Sequence, residues 1–310
     1  MIAPIDAKYN VGQTNKCPLC QGKKLFQETD TFDTWFLSGQ WPLTTLGYPD
    51  SQDFKYFYPT SVLDTMWDIL FFWVARMMMF GLYLAGDVPF KVAHMHSRVV
   101  DVERKKMSKS KGNVIDPIQM VKKYGADAVR MCLVYGVAPA SDIVVTEEKI
   151  RSMRNFSNKI WNASRFVLSH LEGKWEKIKN VPPSKNHDDK WILGELDQTI
   201  KKVTQQIDTY YFGQAAEVLY DFFWHKYCDR YLEKCKTRLP DSPEALSTLY
   251  HVLSSCLKLL HPFMPFVTEA VWQKFPEAKK KPLIVTSWPT IDNQVSSKHN
   301  QPSNTAKPIN

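Results

Sequence analysis

Residues 106–117 read Lys106-Met107-Ser108-Lys109-Ser110-Lys111-Gly112-Asn113-Val114-Ile115-Asp116-Pro117. We name residues 106–112 the lysine segment. It carries three lysines and two serines, and the Asp-Pro pair that follows is typical of the first turn of a helix. A lysine in a loop that closes over its ligand can stabilise the charge on a departing polyphosphate. Predicted strands and helices alternate around this segment, which indicates a parallel α/β sheet with a ligand site beyond a strand end.

Upstream of the lysine segment the chain is rich in aromatic and aliphatic residues. Residues 31–46 combine aromatic side chains with a glycine and a proline, which predicts a pocket wall and disfavours a helix. Further patterns predict a strand at 56–62, an apolar helix at 68–84 buried on both sides, and a buried strand at 92–100. The lysine segment therefore follows a predicted strand.

Downstream of the lysine segment the periodicity becomes helical. Short helices are predicted at 118–124 and 126–135, and a longer helix at 147–171. Residues 172–190 are predicted to be a loop, and Gly213 is predicted to end one helix before the next begins. Two stripes have the spacing of a helix face: Leu193, Leu196, Ile200, Val203 and Ile207, and Leu246, Leu249, Leu253, Cys256 and Leu260. The second half is therefore predicted to be an all-α bundle.

The positive charge of the chain is concentrated in its second half. Residues 1–150 contain 17 lysines and arginines against 16 acidic residues, whereas residues 151–310 contain 23 against 16. A basic helical half suits a nucleic-acid partner, although many soluble domains carry a similar excess. The most apolar stretch, residues 69–85, is short and contains Arg76, so no membrane partner is predicted. No secretory signal is visible, which predicts a cytoplasmic location.

Cys17 and Cys20 form the one metal-type spacing among the six cysteines. A tetrahedral zinc ion takes four ligands, so the pair is predicted to be half of a zinc site or, alternatively, a tight turn. The other four cysteines occur in helix-like patterns, which predicts buried or half-buried thiols.

Several stretches of the sequence together resemble one family. The lysine segment resembles the Lys-Met-Ser-Lys-Ser loop of class I aminoacyl-tRNA synthetases. Two aromatic-rich stretches, 33–42 and 68–77, are similar to those of the valyl-tRNA synthetases within this class. Three more are similar to the anticodon-binding bundle of that group: residues 154–163, 223–224 and 261–266.

The resemblance implies a domain order and an activity. It implies a partial Rossmann-like α/β nucleotide-binding domain at 1–146, an all-α anticodon-binding domain at 147–290 and a disordered tail at 291–310. The implied reaction is the ATP-dependent activation of valine and its transfer to tRNA-Val. ATP and Mg²⁺ are the implied cofactors, and Zn²⁺ is a further candidate.

The resemblance also implies roles for individual residues. Lys109 would be the main catalytic contact to ATP and pyrophosphate, with Lys106 in support. The implied ATP-binding residues are Lys106, Met107, Ser108, Lys109, Ser110, Asp68 and His96. The implied amino-acid pocket comprises Trp35, Ile69 and Trp73. The implied tRNA contacts are Arg151, Arg154, Lys159, Arg165 and Phe166.

Two departures from the family limit these implications. The sequence contains no His-Ile-Gly-His stretch and no inserted editing domain. It is therefore predicted to be the C-terminal portion of a synthetase that is inactive alone and has the N-terminal half as a partner. Two alternatives stay open: a portion of an isoleucyl- or leucyl-tRNA synthetase, and a tRNA-binding module without catalytic activity.

Overall fold

The computed structural model of the 310-residue chain describes residues 31, 33–107, 113–178, 184–239, 241–275 and 281–291. Contacts divide the chain into two compact units, Met1–His94 and Met95–Asn310. The predicted domain boundary between residues 146 and 147 falls inside the second unit and stays a prediction. The predicted tail, residues 291–310, lies outside the described residues except for Ile291.

The first unit consists of short helices and a two-stranded sheet. Helices α1, α2 and α3 span Thr34–Gly39, Trp41–Thr44 and Gln52–Phe57, and strands β1 and β2 span Thr60–Met66 and Phe90–His96. Between the strands a helical run extends from Trp67 to Ala85. It joins a 3-10 turn at Trp67–Ile69, π-helical turns at Leu70–Val74 and Gly81–Ala85, and helix α4 at Ala75–Phe80.

Two predictions for the first unit are wrong because local capping was overlooked. Residues 31–46 contain helices, since the Asp33 side chain accepts a hydrogen bond from the Trp35 amide at 3.1 Å and so begins α1. The strand predicted at 56–62 begins only at Thr60. Ser51 caps α3 by accepting from the Asp53 amide at 3.1 Å, and this helix takes up the residues to Phe57.

The run Trp67–Ala85 is helical as predicted, but its predicted burial on both sides is wrong for the residues described. Only 17% of its most apolar 18-residue window is buried. Eight large side chains are exposed and form what we name the apolar face: Leu70, Phe71, Phe72, Met78, Met79, Leu82, Tyr83 and Leu84. The run has 19 residues, with a mean hydropathy of 1.5 over that window. By length and composition it could cross a membrane, contrary to the expectation from residues 69–85.

The second unit begins with a small parallel sheet. Strand β3 spans Arg98–Val100 and pairs in parallel with β4, Asp142–Val144, with Arg98 opposite Asp142. The two side chains form a bidentate ion pair with N···O distances of 3.0 and 2.9 Å. The strand predicted at 92–100 is therefore two strands, β2 and β3. Helices α5, Pro117–Tyr124, and α6, Ala126–Val134, connect β3 to β4 and confirm the predicted helices.

The rest of the second unit is helical, as predicted. Helix α7, Glu147–Leu171, begins where Thr146 accepts from the Lys149 amide at 3.1 Å. The remaining helices are α8 Trp175–Ile178, α9 His187–Asp208, α10 Phe212–Asp221, a π-helical stretch Phe222–Leu232, α11 Glu233–Cys235, α12 Pro243–Leu260, α13 Pro265–Trp272 and a 3-10 turn Leu283–Val285. The α12 stripe is fully buried, and Cys132, Cys228, Cys235 and Cys256 are buried free thiols. Part of the predicted loop 172–190 is thus helical.

Gly213 does not end a helix, which corrects the prediction. It lies in the first turn of α10, where a Cβ atom would be 2.0 Å from the carbonyl oxygen of Val137. Glycine is required here because the backbone of the segment after α6 passes directly over the helix.

A buried carboxylate, Asp189, joins the start of α9 to the end of the π-helical stretch. Arg238 donates to both of its oxygens, at 2.8 and 2.7 Å. Tyr231 donates at 2.7 Å and Ser184 at 2.6 Å. Burial alone would raise the pKa of Asp189, but these hydrogen bonds offset it and hold the pKa below its usual value. The network fixes two helices in the centre of the bundle.

Helix α6 is attached to α13 by two polar side chains. Asp127 accepts from the amides of Phe266 and Val267, at 3.2 and 2.6 Å, in the first turn of α13. Arg130 donates to the carbonyls of Pro262 and Phe263, at 2.9 and 3.2 Å. Buried apolar side chains of α6, β4 and the bundle form one core cluster, so no packing gap separates them.

Candidate functional site

The structure describes the two ends of the lysine segment. Lys106 and Met107 are described, whereas Ser108, Lys109 and Ser110 lie outside the described residues. Lys106 forms an isolated antiparallel bridge with Val100, the fully buried last residue of β3. The exposed Lys106 side chain is therefore placed directly beyond the end of a parallel strand, where α/β proteins bind ligands.

Asp101 follows β3 and organises the turn that leads into the lysine segment. Its Oδ1 accepts from the backbone amides of Glu103 and Lys105 at 3.0 and 2.8 Å. Its Oδ2 accepts from the Asn113 side-chain amide at 2.7 Å. The hydrogen bond from Asn113 and those from the two backbone amides lower the pKa of Asp101. Sequence reasoning missed both Asp101 and Asn113, which have no metal-type or catalytic spacing.

The predicted amino-acid pocket residues lie on facing helices of the first unit. Trp35 of α1 stacks on Phe72, with ring centroids 5.8 Å apart. Trp73 donates through Nε1 to the carbonyl of Ser38 at 2.9 Å. Ile69 lies in the 3-10 turn that begins the helical run. The structure thus brings Trp35 and Trp73 to one helix pair.

The same helix pair is held by an ion pair and a close packing contact. Arg76 Nη1 lies 2.7 Å from Asp33 Oδ2, and this hydrogen bond lowers the pKa of Asp33. A Cβ atom on Gly39 would lie 2.8 Å from the Phe80 ring. Close approach of α1 to α4 therefore requires glycine at this position.

Asp68 and His96 belong to different compact units. Asp68 is half-buried in the turn Trp67–Ile69, and His96 is exposed at the end of β2. Sequence reasoning also missed an acid–imidazole contact in the first unit, where His94 Nδ1 lies 2.6 Å from Asp64 Oδ1. The implied ATP-binding role of Asp68 and His96 stays a prediction.

A cleft of about 460 Å³ lies beside α7 in the bundle. Its lining residues are Trp161, Asn162, Arg165, Phe166, Leu168, Ser169 and Lys274. The ammonium of Lys274 lies 5.7 Å from the Trp161 ring centroid, and that of Lys236 lies 5.9 Å from the Phe166 ring centroid. Aromatic faces next to cations can stack unpaired bases and hold phosphates. The sequence missed Lys274 because it comes from a distant segment.

The other predicted tRNA contacts also lie on α7, in different environments. Arg151 and Arg154 are exposed. Lys159 is half-buried, donates to Asp229 Oδ1 at 2.7 Å and lies 5.3 Å from the Trp224 ring centroid. Of the five predicted contacts, Arg165 and Phe166 line the cleft.

Metal ligation has no site within the part of the chain that the structure describes. No group of three or more histidine, cysteine or acidic side chains there is placed to hold a metal ion. Cys17 and Cys20 lie outside the described residues. The half zinc site and the Mg²⁺ expectation therefore stay predictions.

Two family models match the chain. The model described as tRNA synthetases class I (I, L, M and V) matches residues 6–146, and the anticodon-binding domain of tRNA ligase matches residues 189–307. The chain belongs to the class I tRNA synthetases. The class I fold expected from the sequence, an α/β portion followed by a helical anticodon-binding domain, is thereby confirmed.

Curated class I relatives place the chain near one amino-acid specificity. The valine–tRNA ligase of Clostridium tetani is 44% identical over 292 residues, which is 92% of this chain and 33% of that protein. The valine–tRNA ligase of one Bacillus cereus strain is 48% identical over 273 residues, 86% of this chain and 31% of that protein. The chain thus spans about one third of the length of these relatives.

A solved class I structure has the same fold. The ternary complex of the Agrobacterium radiobacter K84 agnB2 leucyl-tRNA synthetase with tRNA and LeuAMS matches with a TM-score of 0.72 and 25% identity. The match covers 91% of this chain and 35% of the synthetase.

Proposed function

We propose that this chain supplies the lysine segment and the anticodon-binding bundle of a valine–tRNA ligase. The observation that carries the proposal is 44–48% identity to valine–tRNA ligases over nearly the whole chain. The match to the leucyl enzyme has 25% identity, which disfavours the leucyl alternative. Since the chain spans one third of its relatives, the activity belongs to the larger assembly of which it is a part.

The proposed reaction has two steps, and neither needs a side-chain nucleophile. A valine carboxylate oxygen attacks the α-phosphorus of ATP, and the bond to the leaving pyrophosphate breaks. A terminal ribose hydroxyl of tRNA-Val then attacks the valyl carbonyl and releases AMP. Lys109, with Lys106 in support, would stabilise the negative charge on the pyrophosphate. Mg²⁺ accompanies ATP in this proposal.

The proposed amino-acid selectivity depends on the first unit. Trp35, Ile69 and Trp73 would form rigid walls around the small branched side chain of valine. One methylene changes discrimination in such a pocket by about 1–3 kcal/mol, so isoleucine is the most demanding competitor.

The proposed partner of the first unit is the part of the catalytic domain that carries the phosphate-binding histidines. The apolar face, which includes Phe71 at 81% and Tyr83 at 86% exposure, is larger than soluble proteins usually leave uncovered. It lies within the range matched by the class I model, which supports a protein surface as its cover in preference to lipid. The four buried free thiols agree with the proposed cytoplasmic location.

Pyrophosphate exchange tests the proposed function. The chain alone is expected to give no exchange above background. Mixed with a polypeptide corresponding to the preceding catalytic part of a valine–tRNA ligase, it is expected to give exchange with valine at least about 100-fold above isoleucine. Association of the two polypeptides is measured in parallel by sedimentation. Equal exchange with isoleucine or leucine, or exchange by the chain alone, would contradict the proposal.

The cleft beside α7 is proposed to bind an unpaired base of the anticodon arm. Phe166 would stack on the base and Arg165 would contact a phosphate, the two interaction types typical of single-stranded RNA recognition. Phe166→Ala is expected to weaken tRNA-Val binding about tenfold with an unchanged salt dependence. Arg165→Ala is expected to weaken it about fivefold and to reduce the slope of log K against log salt by about 1.

The binding measurements use the whole chain and a tRNA-Val transcript between about 50 and 200 mM salt. Lys202→Ala removes one positive charge from an exposed position on α9 and serves as the control. It is expected to leave the affinity within about twofold of the parent. An equal loss in the control, or no loss in either cleft variant, would reject the cleft as the binding site.

A further inference from the structure

The turn after β3 contains a carboxylate that contacts both ends of the lysine segment. We propose that Asp101 is a positioning residue that holds these two ends together through its contacts to the turn and to Asn113. The kinetic consequence of this contact rests on the function proposed above. The structural consequence does not.

The near end of the segment is fixed by one oxygen of Asp101. Oδ1 accepts the amides of Glu103 and Lys105, and the Asp101 amide donates to the Lys105 carbonyl at 3.0 Å. The chain therefore reverses within four residues, and Lys106 pairs with Val100. Arg104 has φ 60° inside this turn, a strained conformation for a non-glycine residue that the surrounding hydrogen bonds maintain.

The far end is fixed by the other oxygen. Asn113 Nδ2 donates to Asp101 Oδ2 at 2.7 Å and lies 3.5 Å from the Lys106 carbonyl oxygen. Asn113 leads into α5, which Asp116 caps by accepting from the Ile118 amide at 2.8 Å. Helix α5 is in turn linked to α7, where Tyr124 donates to Glu147 at 2.6 Å. Both ends of the segment are thus joined to rigid elements.

Only an ionised carboxylate satisfies this arrangement. Three N–H donors from two ends of the segment point at the two oxygens of one side chain. Asparagine could accept the two backbone amides, but its own NH₂ would then face the NH₂ of Asn113. Tying both ends of a short segment reduces the conformations available to it, and a lysine assists the reaction only when its ammonium is held in position.

Exchanging the two side chains tests the contact directly. In Asp101→Asn the pair becomes two amides, and in Asn113→Asp it becomes two carboxylates, so each single variant loses the hydrogen bond. In the double variant Asp101→Asn/Asn113→Asp an amide again donates to a carboxylate across the same pair. Glu103→Gln is the control, because it removes the same charge from the same turn but contacts only Lys105 Nζ, at 2.6 Å.

The first measurement is tryptic cleavage of the whole chain between residues 104 and 112, relative to cleavage in the bundle. Each single variant is expected to be cut about tenfold faster in the segment, and the double variant to return to within about twofold of the parent. Glu103→Gln is expected to match the parent. The proposal is overturned if the single variants match the parent or if the double variant is cut as fast as they are.

The second measurement is valine-dependent pyrophosphate exchange by the chain mixed with the complementary catalytic polypeptide. The single variants are expected to lower kcat about tenfold with KM for valine unchanged within about twofold, and the double variant to recover. A general folding defect would also change the bundle cleavage used as reference above. No exchange by the parent mixture would reject the proposed function, and the proteolysis would then decide the role of Asp101.

Discussion

Replacement of Lys109 by alanine is expected to lower the rate of valine activation by about 10²–10³-fold in the complete enzyme. The loss follows from the proposed role of the ammonium, which is to stabilise charge that appears on pyrophosphate only as its bond breaks. An interaction of this kind changes kcat more than KM, so KM for valine is expected to stay within about threefold of the parent. Single-turnover pyrophosphate exchange measures both quantities.

Lys111→Ala provides the matched control for Lys109→Ala. It removes the same charge two residues away in the same segment, outside the five-residue motif that defines the family resemblance. The control is expected to lower the rate by less than about threefold, since a nearby but unpositioned charge contributes little. Equal losses in the two variants would mean that total charge, and not a positioned Lys109, assists the reaction. An unchanged rate in Lys109→Ala would refute the proposed chemistry.

Asp189→Ala is expected to lower the free energy of unfolding of the second unit by about 3–5 kcal/mol. The substitution leaves Arg238 next to a buried cavity and removes the acceptor of the fully buried Tyr231 hydroxyl. Asp188→Ala is the control one residue away, where the carboxylate contacts Lys234 at 2.6 Å with both side chains partly exposed. It is expected to cost less than about 1 kcal/mol. Urea unfolding followed by circular dichroism measures both variants.

The contribution of Asp189 is also expected to depend on pH. Because its folded pKa lies below its unfolded value, the network stabilises the fold fully above the unfolded pKa of about 4 and less as pH falls through the folded pKa. The difference between the parent and Asp189→Ala should therefore shrink in acid. A difference that is constant from neutral pH to below pH 3, or one that grows in acid, would show that Asp189 is not ionised in the fold.

Sequence reasoning was most successful where one helix supplies both a cap and an apolar stripe. Thr146 with Glu147 and Glu148 gave the start of α7, and the leucine spacing of α12 gave a face that is entirely buried. It failed in the first unit, where aromatic residues were taken as evidence against helix although Asp33 and Ser51 cap short helices there. Propensity is a weak guide over six residues, whereas one side-chain cap decides the start of a helix.

The candidate site could be predicted only where residues close in sequence act together. The lysine segment is such a case. The contact between Asp101 and Asn113 spans twelve residues, and the cleft beside α7 needs Lys274 from more than one hundred residues away. Gly213 was taken as a helix break because the sequence does not reveal that Val137 crosses above it. These features depend on tertiary packing, which periodicity does not encode.

The attachment of α6 to α13 has a consequence for exchanging parts between synthetases. Asp127 and Arg130 lie in the range matched by the catalytic model, and the backbone groups they bind lie in the range matched by the anticodon model. The two hereditary modules therefore share one interior, and a chimaera joined between them would have to inherit both halves of this seam from the same parent to remain folded.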